Sequence, residues 1–116
     1  MTDRKQALTD LRDKVKVGEW PGGIGGTARR VFPYSDDLQY DYGCLAHETF
    51  NGSLDAAKAL HEAVLPGWDW YIDRDAEASV YPDTNDHGPY DGIADNPARA
   101  WLLAILEALI AQENTP

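Results

Sequence analysis

At 116 residues the chain fits one domain of common size, and a 43% hydrophobic share that includes four Trp and six Tyr suffices for a core. A net charge of −10 argues against a grip on a nucleic-acid polymer, where phosphate neutralisation supplies most of the affinity. No apolar leader or membrane span follows Met1, and the one cysteine, Cys44, has no internal disulfide partner, which implies a reducing cytoplasm.

Residues Asp3 to Val17 read as a first helix. Asp3 and Gln6 have capping-box spacing, and Leu8, Leu11 and Val15 form one apolar stripe. Arg4, Lys5, Arg12, Lys14 and Lys16 read as its solvated face. After Gly18-Glu19-Trp20-Pro21 comes a glycine cluster, Gly22 to Gly26, which leads to Thr27, Ala28, Arg29 and Arg30. It lacks a GK[ST] ending and a preceding strand, and only Ala28 completes a GxGxxG spacing, so it is no known phosphate loop. It reads either as a ligand-contacting flap carrying Arg29 and Arg30 or as a plain loop. Two short strands, VFPY and GCLAHETF, are expected between Val31 and Phe50, separated by the acidic SDDLQYDY.

A second helix begins at the cap Ser53, carries Asp55 in its first turn and stops at Pro66-Gly67. Its expected buried stripe is Leu54, Ala57, Leu60 and Val64, with Lys58 and Glu62 as a supporting i,i+4 pair. GWDWYID then alternates: Trp68, Trp70 and Ile72 point one way, Asp69, Tyr71 and Asp73 the other. A turn at Arg74 to Glu77 and the stretch ASVYP complete a hairpin that Pro82 ends, and Asp83 to Asp95 reads as a loop.

The last helix, Asn96 to Gln112, organises the rest. Asn96 is the expected N-cap and Pro97 the first helical residue. Between Ala100 and Ala111 the only polar side chain is Glu107, so the helix is apolar nearly all round and too short to cross a bilayer. It is expected to pack on a sheet, with another helix or a second copy covering the remainder. Arg99 stands in its first turn, where the macrodipole disfavours a cation. One reading is a surface pairing with Asp95 or Asp91; the other is that Arg99 and the free N–H groups face a bound anion. Seven of the ten Lys and Arg lie at or before Arg30; only Lys58, Arg74 and Arg99 follow, against sixteen Asp and Glu, so a late cation is expected to have an assigned partner.

Catalytic constellations are weak. His47-Glu48 and His61-Glu62 do not form HExxH. Cys44 and His47, with His61 or His87, match no usual zinc spacing, and surface histidines are the default expectation. Cys44 with His47 is also the one local nucleophile–base pair, and a strand would put them on opposite faces. No catalytic residue, metal or cofactor is therefore expected. Trp20, Tyr34, Tyr81, Tyr90 and Trp101 lie near glycine loops, strand ends or the last helix start, and π faces beside Arg and Asn suit a nucleobase plus phosphate. For Trp68, Trp70 and Trp101 core packing is the preferred reading.

The stretches NGSLDAAKALHEAVLPGWDW (Asn51 to Trp70) and NPARAWLLAILEALIA (Asn96 to Ala111) resemble the small phage proteins of the phage α/β/α sandwich domain family, over residues 51–112. This chain departs in having no glycine in its hairpin turn and an extra acidic segment before Asn51. The resemblance implies a virus or prophage source and action in a host-cell cytoplasm, but no activity. A fainter likeness is to the Thoeris anti-defence sponges, phage proteins that sequester cyclic ADP-ribose-type immune signals. It implies that Asn96 and Arg99 match ligand contacts in character, with an aromatic stacked on adenine.

The expected architecture is α+β, a small antiparallel sheet packed with helices in α/β/α sandwich-like fashion. One domain spans 1–116, with an N-terminal helix, Gly-rich and acidic segment in 1–50 and a helix–hairpin–helix core in 51–112. The first-ranked function is non-enzymatic capture of a small cyclic nucleotide signal by Arg99, Asn96, Arg29, Arg30, Tyr90 and Tyr81, in a homo-oligomer joined through the 97–112 helix. The alternatives are an acidic DNA mimic that occupies a host nucleic-acid-binding protein, and a phage structural or assembly accessory protein.

Overall fold

The computed structural model describes residues 3–19, 42–65, 67–73, 77–81 and 90–114, which form four helices and a three-stranded antiparallel sheet, an α+β domain. Helix α1 (Asp3–Lys16) buries Ala7, Leu8, Leu11 and Val15. Gln6 donates to Asp10 Oδ1 at 2.9 Å, one turn onward, rather than closing a capping box with Asp3, which is already helical. The helix ends at Gly18, whose φ of 80° lets its N–H reach Val15 O (3.0 Å) while the Glu19 N–H reaches Lys14 O (2.9 Å). These two bonds satisfy carbonyls that the last turn leaves open.

GCLAHETF is not a strand. It lies in helix α2 (Tyr42–Phe50), where Ala46, Thr49 and Phe50 are buried at i, i+3, i+4 spacing. A short apolar run without a capping signal does not distinguish the two periods by itself. The VFPY strand, the glycine cluster, Arg29 and Arg30 lie outside the described residues.

Helix α3 (Leu54–Val64) starts where expected: Ser53 Oγ accepts from the Ala56 N–H at 3.1 Å. Its buried face is Ala56, Ala57, Leu60 and His61, rotated from the expected stripe; Leu54, in the first turn, is exposed. The hairpin is β1 (Asp69–Asp73) with β2 (Glu77–Tyr81), in a register that pairs Asp69 with Tyr81 and Asp73 with Glu77. The stretch expected to be a loop contains a third strand, β3 (Tyr90–Ile93), pairing Val80 with Tyr90 and Glu77 with Ile93. Its four residues are too few for a convincing alternation, and a strand containing Gly92 has little propensity of its own.

Helix α4 (Pro97–Asn114) occupies the centre of the molecule. Ala98, Ala100 to Leu106, Ala108 and Leu109 are all buried. One side lies on β2 and β3; α1, α2 and α3 pack around the others. Its lone mid-helix polar group, Glu107, accepts a 2.8 Å hydrogen bond from Arg12 Nη1, so that cation of α1 is half-buried and paired rather than part of a solvated face. This bond is the main reason that the Arg12 pKa is raised. The apolar surface that suggested a second copy is thus covered within one chain, which removes that argument for an oligomer. Among the described residues no helix is long and apolar enough to cross a membrane.

The contact between β3 and α4 is backbone to backbone. A Cβ on Gly92 would overlap Ala100 O and stand 2.7 Å from Ala104 N and from Leu103 Cβ. Gly92 is therefore required by close approach, not by its dihedral angles, and Ala100 and Ala104 keep the facing side of α4 equally small.

Candidate functional site

Arg99 and Asn96 sit at the start of α4, and both hold the fold together. Asn96 Oδ1 accepts from the Arg99 N–H at 2.8 Å, the expected N-cap bond. The Arg99 side chain turns back over α2: its Nε donates to Phe50 O at 3.1 Å and its guanidinium carbon lies 4.0 Å from the centre of the Phe50 ring. A cation that is misplaced on its own helix dipole is well placed on another, because Phe50 is the last residue of α2, where carbonyls point outward and favour positive charge. Among the described residues it pairs with Asp95 Oδ2 at 3.9 Å, and Asp95 is almost fully exposed. Asp91 accepts instead from Ser79 Oγ across the sheet.

Beside Arg99 is a cavity of about 140 Å³ that Val15, Lys16, Val17, Gly18, Ala94 and Asp95 also border. Ligand pockets for drug-sized molecules run from about 300 Å³ upward. The two candidate tyrosines are not brought to it. Tyr90 begins β3, with Ile93 between it and the turn into α4, and stacks on Trp68 at 6.0 Å on the inner side of the sheet. Tyr81 ends β2 opposite Asp69 on the outer side. Neither tyrosine borders the cavity beside Arg99, and the two lie on opposite faces of the sheet.

His61, expected on the surface, is buried at 1% exposure. Its Nδ1 faces the Trp101 indole N–H at 3.2 Å and its Nε2 faces Trp68 O at 2.9 Å. Trp70 meets the imidazole edge-on at 5.1 Å and stacks on Trp101 at 5.3 Å. Burial lowers the His61 pKa, outweighing the opposing effects of the Trp68 carbonyl, Glu62 and Asp69. The signal was present in the sequence: Ala57, Leu60, His61 and Val64 follow i, i+3, i+4, i+7. Position 47 lies on a helix, not a strand, and His47 and Glu48 are both exposed. Among the described residues no three His, Cys, Asp or Glu side chains converge as a metal requires.

The other surface with chemistry is the outer face of the sheet. Inner positions are Trp70, Ile72, Ala78, Val80, Tyr90 and Gly92, all buried or half-buried. Outer positions form a grid: Asp69 beside Tyr81, then Tyr71–Ser79–Asp91, then Asp73–Glu77–Ile93. Carboxylates stand at the perimeter around Ser79, while Tyr71 is 61% and Ile93 70% exposed. No described helix packs on this face. No family model matches the chain, and no curated protein or solved structure is significantly similar to it.

Proposed function

We propose that this protein is a non-enzymatic binding module that presents the outer face of its sheet to a cationic surface on a nucleic-acid-binding protein. The observation that carries the reading is the grid itself: Asp69, Asp73, Glu77 and Asp91 around Ser79, with exposed Tyr71 and Ile93 among them. Carboxylates steer a basic partner, and an exposed tyrosine ring offers an arginine both apolar area and a π face. The net charge of −10 adds long-range attraction of the same sign. These carboxylates ring the face rather than follow the ~3.4 Å rise of phosphates along one strand of a duplex. What they favour is capture of a basic protein patch, not close imitation of DNA.

Among the described residues, capture of a small nucleotide signal is supported by the cavity that Arg99 and Lys16 border at the start of α4. Its volume suits a phosphate group better than a whole nucleotide, and Arg99 already serves Phe50.

The test is binding of an arginine-rich peptide, followed by calorimetry at two salt concentrations. Asp69→Lys with Asp91→Lys is expected to weaken binding at least tenfold. Asp10→Lys with Asp13→Lys makes the same change in net charge on α1 and is expected to leave most of the affinity. Equal losses from the two pairs would reduce the effect to overall charge and overturn the assignment of the face.

A further inference from the structure

The environment of His61 admits only one protonation pattern. An indole N–H can only donate, so Nδ1, 3.2 Å from Trp101 Nε1, has to accept. A carbonyl oxygen can only accept, so Nε2, 2.9 Å from Trp68 O, has to carry the proton. Both ring nitrogens are used, and the side chain is buried. The imidazole thereby joins three pieces of the fold: α3, which carries it; the turn before β1, which supplies the Trp68 carbonyl; and α4, which supplies Trp101.

We infer that His61 is an acid-operated latch: a proton added at Nδ1 sets an N–H against the Trp101 N–H, breaks that bond and releases α3 and the Trp68 turn from α4. The added proton comes from solvent, and no other bond needs to change. Among the described residues, the imidazolium would keep the Trp68 carbonyl as its only hydrogen-bond acceptor. Among the described residues, few charged groups act on it. Glu62 on its own helix and Asp69 on β1 both favour the cation, while α4 faces it with Trp101, which does not titrate. Burial opposes them and is the larger effect. Trp70 and Trp101 sit against the ring, so opening the latch exposes indole surface that neutral pH keeps covered.

The linkage sets the sign. His61 is neutral when folded and has its ordinary affinity for protons when the junction is open, so the open form takes up the extra proton as pH falls below about 6.5. Each further pH unit multiplies the open population by up to about ten, until the folded value is passed. Hydrogen exchange at the Trp101 indole N–H, corrected for intrinsic rate, reads this directly. Wild-type protein is expected to lose protection as pH falls from 7 to 5, by roughly tenfold per unit at most. His61→Gln offers an oxygen to Trp101 and an N–H to Trp68 without titrating, and its protection is expected to stay level over the same range. A level profile in the wild type, or the same loss in both proteins, would overturn the latch. Nitrogen chemical shifts of the wild-type imidazole decide the case even where the variant fails to fold. The Nε2–H tautomer at pH 7.5, lost together with the Trp101 N–H signal on acidification, supports it; the Nδ1–H tautomer, or titration that leaves Trp101 unchanged, refutes it.

Discussion

On the inner face of the sheet Gly92 meets the backbone of α4, and one residue earlier in the same strand Asp91 faces outward and binds Ser79. The two faces alternate along the same strands, as the pleat demands, but different forces fix them. Inner residues are chosen by volume. Trp70, Ile72, Ala78, Val80 and Gly92 fill a gap whose width is set by α4, and packing at crystal-like density leaves no room for an added carbon. Outer residues are chosen by charge and hydrogen bonding, with water available to any group left unpaired. The inner face thus specifies the fold, and the outer face is open to be specified by something else.

The largest effect is expected where the inner face is tightest. Gly92→Ala places a methyl group into Ala100 O and against Ala104 and Leu103, and neither backbone can yield by a rotamer change. A loss of about 3 kcal/mol or more is expected in chemical denaturation. A neutral result would mean that β3 and α4 are not in contact and would dissolve the comparison between faces.

Next in size is Arg99→Ala. Loss of its bond to Phe50 O and of the guanidinium over the Phe50 ring is expected to lower stability by about 1.5–3 kcal/mol. This reverses the expectation from helix-dipole reasoning alone, under which removing a cation from the start of α4 would be harmless. Arg99→Lys should recover part of it, since a point charge cannot reproduce the planar stacked contact. Unchanged stability, together with weakened binding of inorganic phosphate in calorimetry, would instead return Arg99 to the role of an anion ligand.

The smallest effect belongs to the outer face. Tyr71→Ala is expected to change stability by no more than about 0.5 kcal/mol, because a ring that is mostly exposed loses little that water does not replace. Tyr71→Ala should nonetheless weaken binding of the arginine-rich peptide. A stability loss comparable to that of Gly92→Ala would show that this face is covered in the folded protein and is not free for a partner.

Local signals in the chain were sufficient for α1, α3, α4 and the β1–β2 hairpin. Ser53 and Asn96 are caps whose side chains act within three residues, and the Trp70/Ile72 alternation needs only a pleat. Such rules operate over one or two turns, which is why they survive without knowledge of what packs where. The central place of α4 was also legible, since a helix with one mid-length polar side chain has nowhere else to go.

Tertiary contact decided the rest. Arg99 reads as a surface ion pair or an anion ligand, and neither reading includes Phe50, 49 residues away, whose carbonyl it bonds. His61 reads as a surface histidine until Trp101, 40 residues on, is found to donate to it. Gly92 reads as a loop glycine until α4 turns back onto β3 and removes the space for a side chain. In each case the residue type was visible but its partner was not, because hydrogen-bond direction, desolvation and excluded volume depend on which distant atom lies within a few ångströms. Local sequence determined where α1, α3, α4 and the hairpin begin; only the packed chain determined α2, β3, which charged and polar groups are spent inside the fold and which face of the sheet is left for another molecule.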